Sequence, residues 1–149
     1  MEQEAIDHLL TFPQQIFAKN AYIVRQGQAV EYIYYLAQGS CVRNKYTLKG
    51  DEIIYDERSA DQSVYCLLGA LNLYSPVVIY DKNFVAKTAC VCHKIYYKDF
   101  LEFLSRYPSV LHELLFMALS SYDHLDANFH AKQKGQAACR VCSFILENS

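Results

Sequence analysis

Glu31-Tyr-Ile-Tyr-Tyr-Leu-Ala-Gln-Gly-Ser40 places a dense β-forming run, Tyr32 to Leu36, just ahead of a glycine turn at Gly39. Tyrosine and isoleucine suit a pleated, half-buried surface, and glycine is a strong local signal for a turn. Working outward, comparable short runs recur. Tyr22-Ile-Val24 precedes it; Cys41-Val-Arg-Asn-Lys-Tyr46, Asp51-Glu-Ile-Ile-Tyr55, Val77-Val-Ile-Tyr80, Phe84 to Cys92 and His93-Lys-Ile-Tyr-Tyr97 follow. Gly27, Gly39, Gly50 and Asp-rich turns separate them, a spacing that predicts an antiparallel sandwich or barrel. Lys49-Gly50 and the longer Asp56-Glu-Arg-Ser-Ala-Asp-Gln62 read as connections.

The flanks carry a different period. Ile6, Leu9, Leu10, Ile16 and Phe17, interrupted by Pro13, predict a short amphipathic helix and a turn before the first strand. Beyond Lys98 the pattern becomes helical again, with Phe100, Leu101 and Leu104 on one short apolar face. Ser105-Arg-Tyr-Pro-Ser109 is a turn that restarts a helix at Pro108 or Ser109, since proline is well placed in a first helical turn. In that second helix Leu111, Leu115, Ala118, Tyr122, Leu125, Phe129 and Lys132 recur in alternating steps of three and four. Such a seam favours a coiled-coil partner, the alternative being that the stripe packs on its own strands. Gly135 breaks the helix, and residues 136 to 146 start another.

At 149 residues the chain fits one core-forming domain with a long projecting helix. Hydrophobic residues make up 52%, with 13 Tyr, 8 Phe and no Trp, which argues against disorder and suffices to line an aromatic pocket. Strand filling is the commoner use for those tyrosines. A net charge of −2, with no basic run, argues against nucleic-acid binding by this chain alone. No signal peptide or membrane span is legible, so a cytoplasmic location is expected.

Catalytic and metal patterns are missing. His8, His93, His112, His124 and His130 form no His-x-His or i, i+4 pair, and no nucleophile elbow or glycine-rich loop before a helix is present. No enzyme activity, metal or cofactor is therefore expected. Of six cysteines, Cys139 and Cys142 have a C-x-x-C spacing on an expected helix without a second pair, while Cys90 and Cys92 share one strand face. These read as core residues, with a thiol or metal sensor as the alternative.

Several of these segments together resemble the Crp/Fnr family of bacterial transcription regulators. Lys19-Asn-Ala-Tyr-Ile-Val-Arg-Gln-Gly27 is similar to its first barrel strand and turn, and Glu31 to Ser40 to its strand ending in Gly-Ser. Gly69-Ala-Leu-Asn-Leu-Tyr74 and Val85-Ala-Lys-Thr-Ala-Cys90 bracket the region that cradles a cyclic phosphate in the family. Ile95 to Leu104 resembles its strand-to-helix passage, Pro108 onward its dimerisation helix, and Ala138-Cys-Arg-Val-Cys-Ser-Phe-Ile-Leu-Glu147, with Arg140, the first helix of its winged helix-turn-helix.

The resemblance implies an α+β fold, a double-stranded β-helix or jelly roll with short flanking helices and a long dimerisation helix. It divides the chain into an effector-sensing domain over 1–107, a dimerisation helix over 108–134 and the start of a DNA-binding domain over 135–149. DNA would then be contacted only through a C-terminal domain absent from this chain. Anchored on Lys87 to Cys90, it puts Ala70 at the family's phosphate-binding glutamate, Tyr80 at its arginine and Asp81 at its hydroxyl residue. Leu125 and Asp126 fall where cyclic-AMP receptors offer hydroxyls to the purine.

Phosphate needs converging positive charge or free amides, and only Arg58, Lys82 and Lys87 are near in sequence. Cyclic-nucleotide binding is therefore not expected. The expected effector is an uncharged, aromatic or weakly cationic small molecule, held by Leu68, Gly69, Ala70, Leu71, Asn72, Tyr80, Asp81 and Phe84 with Tyr122, Leu125 and Asp126 of the helix. The expected homodimer uses Leu111, Leu115, Ala118, Tyr122, Leu125 and Phe129. A dimerising scaffold whose barrel is filled by its own side chains is the alternative.

Overall fold

The structure, a computed structural model, describes residues 1–133, with side chains as far as residue 120. It comprises two compact units that divide between Glu113 and Leu114. The first contains α1 (Gln3–Leu9), strands β1 (Gln14–Phe17), β2 (Tyr22–Val24), β3 (Tyr32–Gln38), β4 (Ser40–Tyr46), β5 (Glu52–Ser59), β6 (Leu67–Leu68), β7 (Asn83–Ala86) and β8 (Cys90–Tyr96), then α2 (Tyr97–Arg106) and the beginning of α3 (Pro108–Gln133). The strands make two four-stranded antiparallel sheets, ordered β1-β8-β3-β6 and β2-β7-β4-β5. The expected α+β jelly roll is thus found, as two sheets rather than a closed barrel.

β3 organises the first sheet. Ile33 and Tyr35 are buried and pair with Ile95 and His93 of β8, while Tyr32 and Tyr34, which alternate with them, are only half-buried. Alternation along a strand sends those two pairs to opposite faces. His93 is tied by Nδ1 to the Phe12 carbonyl at 2.8 Å, and Phe12 stacks on His8 of α1, whose ring also meets Phe103 and Tyr107. These ring contacts hold α1 against the end of α2.

Gly39 turns β3 into β4 with φ +94, and a Cβ there would stand 2.4 Å from the Ala89 carbonyl oxygen. Only glycine allows both the left-handed backbone and that approach. The turn also switches sheets, because β3 belongs to the first and β4 to the second.

Four sequence readings are corrected. Gln14–Phe17, expected as part of a turn, is an edge strand pairing with β8 from Gln14↔His93 to Phe17↔Cys90; Pro13 just before it needs no amide in the ladder. Val77 to Tyr80 is not a strand but carries a single bridge, Ala29↔Ile79. The run Phe84 to Cys92 is two strands in different sheets, broken at residues 87–89. Asp56 to Ser59 continues β5 instead of looping, because Arg43, Val42, Cys41 and Ser40 of β4 pair with Asp56, Glu57, Arg58 and Ser59.

In the second unit α3 runs on to Gln133. Leu115, Phe116 and Leu119 are exposed there, as Leu111 is in the first unit. The expected break at Gly135, the following helix, Cys139, Cys142 and Arg140 lie outside the described residues.

Candidate effector site

Gly69 takes φ +88 directly before a 3-10 turn, Ala70–Tyr74. A Cβ on it would lie 2.6 Å from Cε1 of Tyr80, so the tyrosine ring rests on the glycine backbone. Tyr80 is only 4% exposed. Its hydroxyl donates to the Tyr32 carbonyl, its amide donates to the Gln28 carbonyl at 2.9 Å, and its carbonyl accepts from the Gly27 amide at 2.8 Å. Burial, then the Tyr34 phenol, push its own phenol well above the ordinary tyrosine range. The ring therefore stands neutral over the cradle turn. Ala70 is buried beside it and brings no carboxylate.

Asp81, which follows Tyr80 in the chain, is bonded on two sides. Asn72 donates to Asp81 at 3.0 Å and Lys82 donates to the other carboxylate oxygen at 2.8 Å. Burial works against the Asp81 carboxylate, but those two bonds outweigh it and hold the carboxyl below its usual range. Leu68 pairs with Tyr34 across β6 and β3, and Leu71 is half-buried in the 3-10 turn. The side chains of Tyr122, Leu125, Asp126 and Phe129 lie outside those described.

Arg58 is a buried strand residue, not a loop cation. Its Nη1 donates to the Tyr65 carbonyl at 2.9 Å. The guanidinium lies 5.2 Å from the centre of the Phe84 ring. Its Nε has no hydrogen-bond partner and stands 3.7 Å from the Asp56 carboxylate, which Arg43 holds more closely at 3.0 Å. Burial lowers the Arg58 pKa, and Asp56 works against that. The other two cations are also engaged: Lys82 with Asp81, and exposed Lys87 with Glu57 at 2.9 Å.

On the β3 side of Tyr80 a cavity of about 330 Å³ is lined by Ile23, Val24, Gln28, Ala29, Glu31, Tyr32, Tyr34 and Tyr80. Of the expected effector residues, Tyr80 alone lines it. Sequence reasoning used Glu31, Tyr32 and Tyr34 only as strand markers. The legible signal was their spacing, since Tyr32 and Tyr34 two residues apart share one strand face.

Among the described residues no group of three or more His, Cys, Asp or Glu is arranged to hold a metal. Cys41, Cys66, Cys90 and Cys92 are buried free thiols. No described helix is long and apolar enough to cross a membrane.

This chain belongs to the cyclic nucleotide-binding domain family, whose model matches residues 14–107. Solved structures with the same fold include a transcriptional regulator from Thermotoga maritima, 16% identical with a TM-score of 0.75, the match covering 90% of this chain and 99% of that one. The catabolite activator protein of Thermus thermophilus is 20% identical with a TM-score of 0.74, over 88% of this chain and 60% of that protein. The c-di-GMP responsive global regulator of Xanthomonas campestris is 15% identical with a TM-score of 0.68, over 89% of this chain and 66% of that one. No curated protein matches the sequence.

Proposed function

We propose that this chain is the sensing and dimerisation part of a Crp/Fnr-type transcription regulator that responds to a small molecule other than a cyclic nucleotide. The observation that carries this reading is the Tyr80 ring lying on Gly69. A cyclic phosphate would have to displace a buried, hydrogen-bonded tyrosine and would find neither arginine nor glutamate in return. Regulation rather than catalysis suits a family and structural neighbours that are mainly regulatory. A cytoplasmic place goes with that role.

The exposed apolar residues of α3, Leu111, Leu115 and Leu119 at four-residue spacing, support self-association through that helix. Effector binding would bias the packing of two such helices, and DNA contact would belong to a separate domain of the regulator. Calorimetry with cyclic AMP and cyclic GMP tests the effector reading, with no saturable micromolar binding expected. Light scattering tests the dimer, and a monomer at tens of micromolar would reject it. The filled cradle also favours a second reading, a dimerising scaffold without ligand.

A further inference from the structure

We propose that the cavity on the β3 side of Tyr80 is the effector site, and that it takes a small organic ammonium compound with an apolar or aromatic body. This rests on the reading of the chain as a sensor and names its ligand class.

The volume, about 330 Å³, is at the small end of ligand pockets, so the occupant is compact. Its charge is one-sided. Ile23 and Val24 are buried and apolar, Tyr32, Tyr34 and Tyr80 are aromatic, and Glu31 is the one charged lining residue. The Glu31 carboxylate has no ion-pair or hydrogen-bond partner among the described residues, and neither has the Tyr34 hydroxyl. Glu31 is exposed and Tyr34 half-buried, and neither group would have to break an internal bond to meet a ligand. An anion would face an unpaired carboxylate, whereas an ammonium group is attracted to a carboxylate and to aromatic rings.

The protein's own cations show that attraction nearby. Lys94 Nζ, which is not part of the lining, lies 4.0 Å from the centre of the Tyr32 ring, and Arg25 sits 4.1 Å over Tyr22. Neither approaches Glu31 as an ion pair. Tyr80 contributes twice: its ring occupies the cradle at Gly69, and it borders the cavity as well. One residue thereby closes the old anion position and helps form a pocket of opposite preference.

Titration calorimetry on the full chain with 2-phenylethylammonium, beside 3-phenylpropionate as an anion of similar size, tests the assignment. Saturable binding of the ammonium compound is expected, at least ten-fold tighter than the anion. Glu31→Gln, an exposed position whose replacement leaves the core intact, should weaken it ten-fold or more. Intermolecular NMR contacts should fall on the rings of Tyr34 and Tyr80. Equal binding of amine and acid, no binding by the amine, or affinity unchanged in Glu31→Gln overturns the proposal. A dimer that ignores the amine removes this site but not the dimerisation reading. A monomer that binds it does the reverse.

Discussion

Tyr80 occupies the space that a side chain on Gly69 would need, its Cε1 lying 2.6 Å from the position of a Cβ. Glycine at 69 and tyrosine at 80 are therefore one structural unit. Gly69→Ala meets two penalties: left-handed backbone at φ +88, costing about 1–2 kcal/mol, and overpacking against the ring, about 1–3 kcal/mol. Tyr80→Ala removes the second but not the first. Urea denaturation of both single variants and the double variant should give a coupling of about 1–3 kcal/mol, with the double variant less damaged than the sum. Strict additivity would show that the ring yields freely.

Asp56 is the counter-charge that makes a buried Arg58 tolerable. Removing one partner of a buried pair typically costs about 3–5 kcal/mol. Asp56 is 36% exposed, so solvent screening reduces the expected loss for Asp56→Ala to about 1–3 kcal/mol. Replacing the cation as well, in Asp56→Ala with Arg58→Met, should recover most of it. A double variant less stable than Asp56→Ala would place the value of Arg58 in its Tyr65 bond and ring contacts instead.

Burial pushes the Cys41 thiol up to about 12 from an ordinary 9.0 and raises Cys66, Cys90 and Cys92 too. As pH rises past the ordinary value the unfolded chain loses these protons while the folded chain keeps them. The unfolded state then binds fewer protons, so stability falls. The Cys41 contribution is complete below pH 9.0 and is lost progressively towards about 12. Urea midpoints should decline as pH rises above 9.0, and less steeply in Cys41→Ala. Peptide mapping after iodoacetamide should find these four thiols unlabelled in the folded protein. Ready labelling of Cys41 would contradict the buried assignment.

Leu115 is 55% exposed, so Leu115→Glu leaves the protomer core untouched. If α3 is a self-association helix, a charge placed in its dry seam costs several kcal/mol. Light scattering after size exclusion should then show a wild-type dimer and a Leu115→Glu monomer with unchanged circular dichroism. An unchanged dimer would move the interface elsewhere.

The Glu31 to Ser40 segment was legible because local chemistry decides it: a β-forming run meets a glycine whose φ only glycine adopts easily. The repetition of such runs pointed to an antiparallel sandwich or barrel, and the family resemblance narrowed that to a jelly roll. β1 was missed because three of its four residues are exposed, leaving Phe17 as its one buried position. The break between β7 and β8 was hidden in a continuous β-forming run, since residues 87–89 offer no glycine or proline. The resemblance placed Tyr80 at the cradle's arginine position, which gave no sign that its ring would rest on Gly69. The cavity joins residues 23–24, 28–34 and 80, a proximity created by strand pairing and invisible to any one window. The expected seam of α3 was read from spacing alone, and the side chains of Tyr122, Leu125, Phe129 and Lys132 lie outside those described.

The strand order also governs how this molecule comes off the ribosome. β1 and β3 both pair with β8, and β2 and β4 both pair with β7, so neither sheet can be completed until the last two strands emerge. From Gln14 to its partner His93 the ribosome needs roughly 4–16 s at about 5–20 residues per second. For the later part of that interval the Tyr32 to Leu36 run has at most the two-residue β6 beside it, a sticky nascent segment whose protection depends on chaperones or on slow, late collapse.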